Sequence, residues 1–157
     1  MKNLPEIFKI VQGTSPVTTN GGVTGDYVSL KNAVKCTVVV NLTQAVGHAT
    51  VLSISESPLV SGDGSQAMTA TQKVWQNADV AASDALVKAA DAASVTVAAD
   101  VKHKQIVMEI DPSKLTAGYD CIAAVLSDSS QATNFASIDY FIETRYPQAT
   151  PPAAIID

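Results

Sequence analysis

The chain has 157 residues and 16.3 kDa, a net charge of −5 and a pI near 4.8, which suggests a single domain with or without arms. An acidic surface whose one arginine is Arg145 repels phosphate, which argues against a nucleic-acid binder working through a basic face. No run of about 18 apolar residues is present, so no helical membrane span is expected. The opening MKNLPEIFKIVQ has no signal-peptide apolar region, so synthesis without Sec export is the expectation.

Val and Ile number 29 against 8 Leu. That imbalance favours sheet, because β-branched side chains suit a pleated surface and lose χ1 freedom in helices. In chain order, residues 4–12 read as an apolar extended arm or edge strand, with Pro5 placed where a missing N–H does no harm. Residues 13–25 read as turn, on Gly13, Pro16 and the Asn20-Gly21-Gly22 run. Residues 26–30 form a short strand candidate. Residues 36–42 form a strong one, with Cys36, Val38, Val40 and Leu42 on one face. Residues 49–55 return as a third strand, and 58–65 are loop, punctuated by Gly62 and Gly64.

Residues 78–92 favour helix by composition, yet their alanines would bury little area, so an irregular or extended path is expected. From residue 93 the period is two: Val95, Val97, Ala99 and Val101 share one face, then Ile106, Met108 and Ile110. Asp111-Pro112 looks like the N-cap and first position of a single helical turn. Residues 119–126 are apolar on both faces, as a central strand would be. Ile138, Tyr140 and Ile142 alternate with polar neighbours. Beyond Arg145 the prolines forbid a continued ladder. Seven or eight strands without strand–helix alternation predict an all-β, antiparallel β-sandwich of Greek-key or jelly-roll type. Extended arms at 1–12 and 145–157 would flank a domain at 13–144.

Motifs for chemistry are sparse. Gly62-Asp63-Gly64-Ser65-Gln66-Ala67, with Asp84 twenty residues after Gly64, matches a dinucleotide fingerprint. That motif works only between a strand and a helix, and the surroundings here are β. His48 and His103 lack partners at metal-ligand spacing and read as exposed turn histidines. No nucleophile elbow occurs, and aromatic residues at 5% argue against a stacking groove for sugars. Cys36 and Cys121 read as buried reduced thiols, although spacing does not exclude a bridge. Lys102-His103-Lys104 reads as a solvated strand start, with contact to an acidic partner as the alternative. No catalytic residue, metal or cofactor is therefore expected.

Five segments resemble a family of small tailed-phage virion proteins, the capsid decoration or cement proteins encoded beside the major capsid protein. They are DYVSLKNA (26–33), VVNLTQA (39–45), VWQNADVAASDAL (74–86), KHKQIVMEIDPSKL (102–115) and RYPQATPPAAIID (145–157). The resemblance implies a structural role on the capsid exterior, after assembly in the host cytoplasm. It implies the major capsid protein as partner and no cofactor; closed symmetry, the default for small coat modules, adds self-association as a dimer or trimer, and charge and hydropathy argue against nucleic acid and membrane. A head–tail connector, tail-tube or head-fibre component is the runner-up, and a small hydrolase or sugar-binding module a third class. The expected partner-binding residues are Leu4, Ile7 and Phe8 at one end. At the other they are Arg145, Tyr146, Pro151, Pro152, Ile155 and Ile156. Arg145 is the sole guanidinium able to grip an acid in bidentate fashion.

Overall fold

A computed structural model describes residues 3–146, 150 and 153–156. A one-turn helix α1 (Leu4–Ile7) leads into β1 (Phe8–Thr18), β2 (Val23–Thr24), β3 (Val28–Ser29), β4 (Ala33–Thr43) and β5 (Thr50–Ser57). Then come β6 (Gln66–Ala67), β7 (Lys73–Asn77), β8 (Val87–Lys88), β9 (Ser94–Val97), β10 (His103–Ile110), a 3₁₀ turn (Pro112–Lys114), β11 (Cys121–Leu126) and β12 (Phe135–Thr144).

Two antiparallel sheets result. Sheet A has the order β1-β12-β4-β10-β7-β8. Sheet B has the order β2-β11-β5-β6, with β3 also pairing β11 and β9 also pairing β5. Taking β2 and β3 as one interrupted strand, sheet A contains β1-β12-β4-β10 and sheet B contains β2/β3-β11-β5-β9. These are the two interleaved four-stranded halves of a jelly roll. Residues 58–93 are an excursion between β5 and β9; it adds β6 to sheet B and extends sheet A by β7 and β8.

The core follows from the period of two. Cys36, Val38, Val40 and Leu42 on β4 face inward, with Ile106, Met108 and Ile110 on β10 and Ile138, Tyr140 and Ile142 on β12. Leu52, Ile54, Ile122, Ala124, Leu126, Val95 and Val97 meet them from sheet B. Each residue expected inward on β4, β9, β10 and β12 is buried. The Asp111 carboxylate accepts from the Ser113 N–H at 2.9 Å and caps the 3₁₀ turn, as its sequence predicts. Cys36 and Cys121 are buried, one in each sheet.

Three expectations are corrected. Residues 13–18 are not turn: they continue β1 to Thr18, through register shifts between Gln12 and Thr14 and between Thr14 and Val17. Pro16 is tolerated because β1 is an edge strand. The alternation at 95–101 stops at Val97, and Val101 is exposed in the turn before β10. Residues 4–7 form a helical turn rather than extended chain, begun by Pro5 and by Glu6, whose carboxylate accepts from the Asn3 N–H at 2.8 Å.

Candidate interaction surface

The C-terminal segment 153–156 returns to the side of β1. The free edge of β1 lies at the rim of sheet A, and the segment runs along residues 9–12. Ala154 is buried with the core, and its carbonyl accepts from the Ser29 N–H on β3. A cleft of about 230 Å³ opens there, lined by Lys9, Lys31, Asn32, Ile142, Ala154 and Ile156. The side chains flanking this segment stay in solvent: Ile10 is 43% exposed, Ile155 49% and Ile156 70%. An exposed cluster of isoleucines beside a free strand edge can accept an extended partner chain.

The other expected contact residues lie on α1, at the start of β1 and just beyond β12. Leu4 is exposed on α1, Ile7 is half-buried, and Phe8 is half-buried opposite Glu143 on β12. The Arg145 main-chain N–H donates to the Asn32 carbonyl at 2.9 Å and its guanidinium Nε to the Ala33 carbonyl at 3.3 Å. The guanidinium is thus tied to main chain where β12 ends, and its remaining N–H groups are what a partner acid would meet. Tyr146 is 77% exposed. Pro151 and Pro152 lie outside the described residues.

The buried polar groups form structural contacts. Glu56 on β5 is almost wholly buried, yet its carboxylate receives the Thr116 N–H at 3.0 Å, the Thr116 hydroxyl, and Gln66 Nε2 at 2.8 Å. Burial pushes its pKa up, but these donors outweigh burial and hold it below the usual glutamate value. Lys104 is buried rather than solvated, correcting that expectation: its ammonium donates to the Ala98 carbonyl at 2.6 Å and to Asp100. Lys102 pairs with Asp79 and Asp100, each at 3.4 Å. At the same end, Asn134 clamps Val46 through both its amide oxygen and its amide nitrogen, at 2.9 and 2.8 Å.

The Gly62–Gly64 motif is a turn in which both glycines have positive φ, 81° and 71°, and no helix follows it. Among the described residues no group of three His, Cys, Asp or Glu side chains is placed to hold a metal. The roles of Glu56 and Lys104 escape sequence reasoning, because their partners lie in other loops. No protein family, curated protein or solved structure matched the chain.

Proposed function

We propose that this chain is a virion structural protein that decorates a tailed-phage capsid, bridging neighbouring major capsid protein subunits. The observation that carries it is the return of segment 153–156 to β1, the edge strand of sheet A, where Ile10, Ile155 and Ile156 remain exposed. The five sequence segments quoted above supply the class of partner, and a rigid jelly roll supplies the scaffold. On this reading the edge of β1 and the C-terminal segment contact the shell, with Arg145 and Leu4 at the border of the contact. Each buried isoleucine would contribute roughly 1.5–3 kcal/mol, and repetition over a shell multiplies weak contacts into avidity.

The experiment is cryo-electron reconstruction of capsids lacking the protein, before and after its addition. Density should appear over the whole shell at capsomer junctions, with the β1 edge toward the capsid. Density restricted to a single ring would move the protein to the connector, and no added density would remove it from the virion.

A further inference from the structure

We propose that the outer face of sheet A is where a second copy of this chain docks, face to face, about a two-fold axis parallel to the strands at Val107. The observation is one rung over five of the six strands of sheet A, from β12 to β8; on β1, beyond it, the exposed Gln12 pairs in register with Asp139. Asp139 on β12 pairs in register with Val39 on β4, Val39 with Val107 on β10, Val107 with Trp75 on β7, and Trp75 with Lys88 on β8. The rung reads acid, apolar, apolar, apolar, base. Its neighbours in sequence on β4, β10 and β12 are core residues, so the side chains of Asp139, Val39 and Val107 face outward. Lys88 stands over the Trp75 ring, 5.1 Å from its centroid, on that same face.

Rotation about an axis through Val107 and along the strands lays this rung on its own reverse. Val107 meets Val107 of the partner subunit, Val39 meets Trp75 of the partner subunit, and Asp139 meets Lys88 of the partner subunit. Both charged pairs form at once, and five positions are satisfied by one operation. A two-fold axis across the strands would instead set Asp139 on Asp139 and Lys88 on Lys88, which like charges oppose. Asp139 has no ion pair among the described residues, whereas Lys88 is paired locally with Asp91. The only acid brought near its own mate by the rotation is Glu109, and its charge is already met within the chain by Lys35 at 3.3 Å and Lys73 at 3.4 Å.

The other sheet argues the same way. The outer face of sheet B is covered by its own chain: the Tyr27 hydroxyl shares a hydrogen bond with Ser55 at 2.8 Å, Gly62 packs on the Tyr27 ring, and Cys121 and Ala123 are fully buried. Among the described residues sheet A has no such cover, and Val39, Val107, Trp75 and Phe141 are half-buried on it. Five strands span only about 20–24 Å, so the contact is of the small class and the dimer forms in the micromolar range rather than the nanomolar.

The inference rests on the self-association part of the function proposed above and not on shell binding, so it is tested on the isolated chain. Sedimentation equilibrium should show a concentration-dependent dimer. Asp139→Lys and Lys88→Glu should each weaken it about tenfold, since each change spoils two pairs per dimer. The double variant should return to within about threefold of the original, because the reversed charges face each other again. Within one chain the two positions are four strands, about 19 Å, apart, so the rescue has to be intermolecular. Val107→Cys should cross-link to itself on oxidation. A chain that stays monomeric into the millimolar range, or a double variant no tighter than the singles, overturns the interface. A wild-type dimer that leaves shells bare counts against decoration alone, and a monomer that covers them counts against the dimer alone.

Discussion

The phenolic oxygen of Tyr140 on β12 accepts a hydrogen bond from the Ala124 main-chain N–H on β11, 2.9 Å away, and so joins the two sheets through the middle of the sandwich. The ring needs room, and two glycines provide it. A Cβ on Gly13 would stand 2.3 Å from the ring, and one on Gly25 would stand 2.6 Å from the hydroxyl. The glycine in β1 thus makes room for a side chain more than a hundred residues away.

Tyr140→Phe should cost about 1–3 kcal/mol, because it strands a buried main-chain donor. Gly25→Ala should cost about the same or more through overpacking against the hydroxyl. Deleting the hydroxyl also removes the atom the new methyl strikes, so the double variant should be less destabilised than the sum of the two. Urea unfolding of the four proteins measures this, and strict additivity would show that the hydroxyl does not set the space at Gly25.

Alkaline pH should unfold the protein through two buried groups. Burial holds both the Cys36 thiol and the Tyr140 phenol well above their ordinary ranges. The folded state thus keeps protons that the unfolded chain begins to release above about pH 8.5 for cysteine and about pH 10 for tyrosine. Stability is full below those values and falls as pH rises beyond them. Cys36→Ala should shift the onset of the decline upward, and phenolate absorbance from Tyr140 should appear only with unfolding.

Acid should act through Glu56. Its folded pKa lies below the ordinary glutamate value of about 4.3, so its contribution is present above that pH and is lost as pH falls through the folded value. Glu56→Gln replaces an acceptor of three hydrogen bonds with a group that must also place two donors. A loss of about 1–3 kcal/mol at pH 7 and a flatter acid limb of stability are expected. Thermal melts from pH 3 to 7 compare the two proteins, and parallel curves would remove Glu56 as the titrating group.

The alternating strands were readable because each carries its own record of one buried and one solvated face: β4, β10 and β12 show this at every second residue. Where the cause is non-local the local pattern misleads. Gly13 and Pro16 look like turn, yet Gly13 accommodates Tyr140 and Pro16 lies on an edge where its missing N–H is not needed. Lys104 looks like a solvated charge, yet β10 turns it inward to the Ala98 carbonyl and Asp100. The contact residues named from the sequence are apolar ends, and nothing in their local pattern says that Ile155 and Ile156 lie beside residues 9–12. That follows only from the placement of β1 and β3 in different sheets, with Ala154 closing the gap between them.

Because Ala154 is a core residue, truncation after Tyr146 should have two separable effects. It removes a buried methyl and the acceptor of the Ser29 N–H, a loss of about 1–2 kcal/mol, so the melting temperature should fall by a few degrees. The sandwich itself should still fold, since β1 to β12 are intact. Replacing Ile155 and Ile156 by aspartate is the sharper change, because both side chains are already in solvent. That variant should melt with the wild type while its occupancy on capsids collapses, since charged side chains cannot take the place of apolar anchors in a dry contact. The pair of measurements separates folding from binding. If the aspartate variant covers shells as fully and as tightly as the intact chain, the C-terminal segment serves only to close its own domain, and the bridging contact lies elsewhere.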